Sequence, residues 1–327
     1  MLLPLGIAAV AGTGLASWSA YAGRKAEELV PPDGQFIDVP GARLHYVDLG
    51  PKDAPVLVMV HGLMGQLRNF SHSLTERLTT DYRVILVDRP GWGHSALDGP
   101  RPGITAQAKM LAALIEQLSL HKPLVVGHSL GGAVALALGL DQPDLVRGLA
   151  LIAPLSQRVE RVPRPFLGLL APPPVRGAIA WLLAVPAGTL SSAKTAQAVF
   201  APDPVPADFA TRGGGALALR PKSYLAGSFE LLQASPEMSK LQARYADLQL
   251  PVAILFGRQD QVLDPKLNGE KTTREIRGAS LTLIDGGHML PVTHAAATEA
   301  WLRNLPVSPE RFSSIRKAAS SSQAEGS

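Results

Sequence analysis

The chain contains no cysteine. It therefore has no disulfide framework, no thiolate metal site and no cysteine nucleophile, and its redox compartment stays open. Charge is sparse: 18% of residues are Asp, Glu, Lys or Arg, and the net charge is +4. That excess is far from the dense basic stripe of a nucleic-acid binder. The eight histidines include no H-E-x-x-H or comparable spacing, so no metal is expected. Aromatic residues make up only 5%, whereas 46% of the 327 residues are hydrophobic. Such a chain can bury a sizeable core, as one large domain with an insertion or as two small ones.

The longest uncharged run lies at the N-terminus. Residues 2–22 carry no charge, and Arg24 and Lys25 follow. About 20 helical residues span roughly 30 Å, the thickness of a bilayer core. Three readings compete for segment 1–24. It can be a membrane anchor, with the positive flank placing the domain on the cytoplasmic side. It can be a signal peptide cleaved after Ala20-Tyr21-Ala22, which would mean export. Or it can be an amphipathic helix packed on the domain. Membrane association is the expectation carried forward. At the other end, residues 308–327 are rich in Ser, Ala and charge and read as a disordered tail.

Between the ends, short apolar runs alternate with helical patterns. The runs are 56–60, 84–87, 124–126, 149–152, 252–256 and 281–284, apolar throughout or nearly so. Strands buried on both faces look like this, as in a parallel sheet covered by helices. The segments 36–39 and 43–47 alternate better and flank Pro40-Gly41, which suggests an antiparallel hairpin at a sheet edge. One helix is expected from a Thr105 cap to about Leu120, burying Met110, Leu111, Leu114 and Leu118. Another starts at Ser129. Alternating strand and helix predicts an α/β fold with a doubly wound, mostly parallel sheet over 35–154 and 236–305.

The rhythm breaks at 155–235, which reads as a helical cap inserted after a core strand. It holds eight Lys or Arg (158, 161, 164, 176, 194, 212, 220, 222) against four acids (160, 203, 208, 230). Two readings remain open: an ordinary solvated face, or a basic lid near anionic lipid headgroups.

The chemistry centres on Val125-Val126-Gly127-His128-Ser129-Leu130-Gly131-Gly132, where a strand runs into a G-x-S-x-G turn and then an alanine-rich helix. Such a turn projects the serine hydroxyl above the sheet, and its glycines let strand and helix cross closely. The helix N-terminus offers the Leu130 N–H to a developing oxyanion. A serine nucleophile needs a base oriented by an acid, and both should follow it in the chain. His288, in Gly286-Gly287-His288 after the last strand, is the expected base. Asp260, after the strand ending at Gly257, is the expected acid. Asp264 and Asp285 are its rivals, although capping a helix at Pro265 would account for Asp264. The second oxyanion donor is expected after the 56–60 strand, from the Leu63 N–H, with Met64 second.

Taken together, His61-Gly62, Asp88-Arg89-Pro90-Gly91-Trp92-Gly93-His94-Ser95, Gly127 to Gly132, Gly257-Arg258-Gln259-Asp260 and Gly287-His288 resemble the α/β-hydrolase superfamily over about residues 35–305. The resemblance implies an eight-stranded sheet, a cap domain and a cofactor-independent hydrolase. The Gln259 to Asp264 segment, with an apolar N-terminus, is similar to membrane-anchored monoacylglycerol lipases. After His288, the run Met289 to Ala295 departs from the family's usual pattern, which puts the subfamily in doubt. Position 129 is Ser, not the aspartate nucleophile of dehalogenases and epoxide hydrolases. Gly91-x-Gly93-x-x-Ala96 follows a strand but opens no helix, so a nucleotide site is not expected. The expected function is cleavage of small-molecule or lipid esters, with the basic cap and residues 2–22 facing a membrane surface. Thioesterase, perhydrolase and carbon–carbon bond hydrolase chemistry share the same three residues. A non-catalytic binding protein on this fold is the remaining alternative.

Overall fold

The computed structural model describes residues 2–305. The expected tail at 308–327 lies outside the described residues. The hairpin segments and the apolar runs form strands β1 (Gln35–Val39), β2 (Ala42–Leu49), β3 (Val56–Val60), β4 (Arg83–Val87), β6 (Leu124–His128), β7 (Gly148–Ile152), β8 (Val252–Gly257) and β9 (Ser280–Ile284), the eight expected, and a short β5 (Ala96–Leu97) is a ninth that no apolar run announced. They make one sheet in the order β1-β2-β4-β3-β6-β7-β8-β9, with β5 paired to β2. Pairing is antiparallel at β1–β2, β2–β4 and β2–β5 and parallel from β4 to β9. This is the mostly parallel α/β sheet expected from the alternation of apolar runs and helical patterns.

Burial on both faces explains why the strands read as continuous apolar runs. Val58 and Val60 of β3 enter one core cluster, with Ile85, Val87 and Val125. Leu57 and Met59 of the same strand enter the other, with Val84, Leu86 and Val126. Side chains alternate faces along a strand, so a sheet covered on both sides needs apolar residues at every position.

Five helices matter for the site. They are α1 (Leu2–Leu29), α2 (Ile104–Gln117), α3 (Leu130–Asp141), α4 (Val185–Phe200) and α5 (Pro221–Gln242). Helix α2 starts one residue before Thr105, and Gly103 is its N-cap, with no side-chain cap bond. The Thr105 N–H is instead satisfied by the Glu237 carboxylate of α5, so Thr105 does not cap. Leu111 and Leu114 are buried as expected; Ile104, Ala108 and Ile115 join them, while Met110 and Leu118 are only partly buried. Residues 155–235 leave the sheet after β7 and include α4 and most of α5.

The expectation of an N-terminal membrane anchor fails. Among the described residues no helix is long and apolar enough to cross a membrane. Helix α1 runs on past Ala22 through Arg24, Lys25, Glu27 and Glu28, and its second half is packed on the protein. Ser19 Oγ donates to the Trp181 carbonyl at 2.7 Å. Ala26 and Val30 are buried with Ala216 and Leu217, and Glu27 pairs with Arg220 at 2.9 Å. An uncharged run built largely of Ala, Gly and Ser can coat a neighbouring surface as well as it can suggest a bilayer span, and here the former holds from Ser19 onward. From Ser19 onward the segment matches the packed-helix reading, whereas Val10, Leu15 and Trp18 stay exposed.

Candidate active site

The strand order reverses at β3, which has β4 on one side and β6 on the other. Loops leaving the carboxyl ends of β3 and β6 diverge around a crevice there, the usual ligand position of open α/β sheets. His61 to Gly65 leave β3, and Ser129 leaves β6.

Ser129 has φ 53° and ψ −123°, a conformation costly for a residue with a Cβ. Its backbone is clamped on both sides: its N–H donates to Ile152 at 3.0 Å, and its carbonyl accepts from Gly132 at 2.9 Å and Leu155 at 2.8 Å. The flanking glycines are sterically required. A Cβ on Gly131 would lie 2.1 Å from the Val60 carbonyl oxygen, and one on Gly127 would lie 2.5 Å from that of Gly131. Helix α3 then packs Leu130 through Gly139 entirely into the core, which holds the turn against the sheet. Ser129 Oγ makes no hydrogen bond among the described residues and lines a cavity of about 370 Å³.

Leu63 and Leu130 line the same cavity. The Leu130 N–H opens a helix and so has no partner within it. The Leu63 N–H likewise has no acceptor among the described residues. Met64 takes a left-handed φ of 57°, and its side chain leans on the insertion's apolar cluster with Leu169 and Tyr224.

His288 and Asp260 are joined: Nδ1 of the ring meets Asp260 Oδ2 at 2.7 Å, with both side chains almost fully buried. Asp260 Oδ1 accepts the Val262 and Leu263 N–H groups at 2.8 and 3.0 Å. The carboxylate therefore has one oxygen fixed by the backbone and the other directed at the imidazole. The two rival acids are occupied elsewhere. Asp264 accepts the Lys266 N–H at 2.9 Å, at the start of the following helical turn. Asp285 is exposed and lies 3.6 Å from Arg258.

The residue before the serine ties the two halves together. His128 Nε2–H donates to the His288 carbonyl at 3.0 Å, and the two rings are 5.0 Å apart. Burial, with His288 nearby, pushes the His128 pKa down to about 3, so it is neutral. His61 is also neutral, pushed down to about 3 by burial and by the adjacent Arg89.

Several supporting residues escaped the sequence reading. Asp203, in the insertion, accepts the Gly287 N–H at 2.9 Å and the Thr293 hydroxyl at 3.1 Å, which braces the loop carrying His288. Asp88 accepts the Leu67 and His94 N–H groups and the His45 ring, each at 2.8 Å. Burial opposes its charge, but these partners outweigh burial and hold its carboxyl below the usual range. The Asp88-Arg89 motif marked that loop; nothing in the sequence singled out Asp203. Among the described residues no group of three His, Cys, Asp or Glu is arranged to hold a metal.

The family model described as alpha/beta hydrolase fold matches residues 55–295, from β3 to beyond His288. The chain belongs to the α/β-hydrolase family. A magnesium-chelatase 30 kDa subunit from Rhodobacter capsulatus is 29% identical over 247 residues, 75% of this chain and 84% of that one. A 2-hydroxy-6-oxononadienedioate/2-hydroxy-6-oxononatrienedioate hydrolase from Escherichia coli is 27% identical over 290 residues, covering 84% and 96% of the two chains. Among solved structures, an α/β-hydrolase fold protein from Burkholderia ambifaria superposes with a TM-score of 0.70 at 22% identity, over 83% of this chain and 97% of that one. A thermophilic esterase from Thermogutta terrifontis superposes at 0.64 and 22% identity, over 83% and 98%. At these identities the structural likeness concerns the α/β-hydrolase fold alone. None of these relatives carries the narrower likeness to monoacylglycerol lipases.

Proposed function

We propose that the protein is a serine hydrolase that cleaves carboxylic esters through an acyl-enzyme on Ser129. In this reading His288 takes the Ser129 proton and later returns it to the leaving alcohol. Asp260 holds the proton of His288 on Nδ1, which leaves Nε2 free as the base. The Leu63 and Leu130 N–H groups receive the oxyanion of the tetrahedral intermediate. The observation that carries this reading is the buried 2.7 Å Asp260–His288 bond, tethered through His128 to the strained Ser129 turn. The open geometry at Ser129 Oγ is no obstacle, because such contacts tighten when substrate binds. Leu155, Phe166 and Leu231 in the cavity wall favour an apolar acyl chain.

A fluorophosphonate probe tests the nucleophile. Wild type should label and Ser129→Ala should not; an unlabelled wild type, or equal labelling, sinks the assignment. A series of p-nitrophenyl esters from short to long chain then reads the acyl preference.

A second reading is hydrolysis of a carbon–carbon bond by the same residues. One feature favours it: the likeness to the Escherichia coli hydrolase over 96% of that chain. Turnover of a 2-hydroxy-6-oxodienoate with no ester hydrolysis would select it.

A further inference from the structure

The insertion reaches into the core through one carboxylate. Glu230 of α5 accepts from Arg89 Nη1 at 2.6 Å and Nη2 at 3.1 Å. It also accepts from Trp92 Nε1 and Gln107 Nε2, each at 2.8 Å. The Arg89 and Glu230 side chains are only 1% and 5% exposed. A buried ion pair is often no more stabilising than apolar side chains of the same volume. The remaining bonds of Arg89 indicate what this pair does.

Arg89 Nε donates to the His61 carbonyl at 2.8 Å, and Nη2 to the Gly62 carbonyl at 3.0 Å. Nη1 also donates to Gln107 Oε1 at 2.8 Å. All three guanidinium nitrogens are thus committed, to two backbone carbonyls of the β3 loop and to groups that hold the guanidinium still. The Arg89 N–H donates to His61 Nε2 at 2.9 Å. An N–H can only donate, so the neutral His61 carries its proton on Nδ1 and gives it to the Gly62 carbonyl at 2.8 Å. The Gly65 N–H reaches the same oxygen at 3.2 Å.

The Gly62 carbonyl and the Leu63 N–H belong to one planar trans peptide, so they point in opposite directions. Turning the carbonyl toward Arg89 turns the N–H away from it. This peptide passes directly beside the serine: a Cβ on Gly62 would lie 2.8 Å from Ser129 Cβ.

We propose that Glu230 is a positioning residue. Acting through Arg89, it sets the Gly62–Leu63 peptide and with it the Leu63 oxyanion donor, so the donor is in place only when the insertion is docked. This rests on the serine-hydrolase reading. Glu230→Gln leaves the guanidinium without its carboxylate and lets it turn from the Gly62 carbonyl.

The test uses the full chain, a short p-nitrophenyl ester, a trifluoromethyl ketone inhibitor and the thermal midpoint. Ser129 Oγ adds to the ketone carbon, its proton passes to His288, and the carbonyl oxygen becomes the oxyanion. Affinity for the ketone therefore reports the hole. In Glu230→Gln, kcat and ketone affinity should fall together by about 10-fold or more while KM stays within about threefold. The paired variant Arg89→Met/Glu230→Met should regain the thermal midpoint without regaining kcat or ketone affinity. Recovery of kcat in the paired variant would reduce the pair to docking the insertion and overturn the proposal. So would a folded Glu230→Gln with unchanged kcat and ketone affinity. Ester hydrolysis that survives Ser129→Ala is a different failure: it removes the function reading itself, and the proposal with it.

Discussion

Exchanging Asp260 for asparagine probes the site at its orienting carboxylate, with Asp264 as a nearby control. Asn has nearly the same shape as Asp. Its oxygen can keep the Val262 and Leu263 N–H donors, at 2.8 and 3.0 Å in the native protein. Its NH2 then faces His288 Nδ1, where a carboxylate oxygen sat at 2.7 Å. An amide NH2 only donates, so Nδ1 must accept and the imidazole proton moves to Nε2. A ring protonated there cannot take the serine proton. The expected loss in kcat is about 10³- to 10⁴-fold, equivalent to roughly 4–5.5 kcal/mol of transition-state stabilisation. Because shape and backbone bonds survive, stability should change by no more than about 1–2 kcal/mol. In Asp264→Asn the exposed side chain loses a charged acceptor for the Lys266 N–H. That should cost about 0.5–1 kcal/mol and leave kcat within about threefold. Both variants are compared on p-nitrophenyl butyrate, with thermal unfolding run alongside. A folded Asp260→Asn that keeps kcat within about tenfold of wild type, or an equal loss in Asp264→Asn, would refute the assignment of the acid.

Two further predictions concern stability. His61 and His128 have folded pKa values pushed down to about 3, so as pH falls below about 6.5 the unfolded chain takes up protons that the folded chain refuses. Stability present at pH 7 is then lost toward pH 3, by about 3 kcal/mol per histidine at pH 4.5. The thermal midpoint should drop steeply between pH 7 and 4.5, and less steeply in His128→Gln; a flat profile in wild type would count against neutral buried rings. Separately, Val30 is fully buried and Trp18 is 50% exposed. Val30→Ala should cost about 1–3 kcal/mol and Trp18→Ala less than about 0.5 in chemical denaturation. Equal costs would contradict the packing of the end of α1 and Val30 against Ala216 and Leu217.

The fold was readable because its signals are local. β3, β4, β6, β7 and β8 are covered on both faces, so nearly all their positions are apolar, with Arg83 and His128 at strand ends as the exceptions. The positions of Ser129, Asp260 and His288 were readable because each follows a strand end, and the glycines around Ser129 mark a crossing too tight for a Cβ. The membrane reading of residues 2–22 failed for the converse reason. An uncharged run reports that a helix avoids charge, and says nothing of which surface covers it.

By itself, the sequence determined the strands of the main sheet, their order along the chain, the serine turn and the chain order of the candidate acid and base after it. These follow from periodicity and local sterics. Tertiary structure showed that Asp260, favoured in the sequence by its place after β8, is the carboxylate that meets His288, whereas Asp264 holds the Lys266 N–H and Asp285 lies exposed beside Arg258. It also decided that α1 lies on the insertion. And it paired Glu230 with Arg89, 141 residues apart in the chain, a contact without local pattern that exists only because α5 crosses the loop after β4.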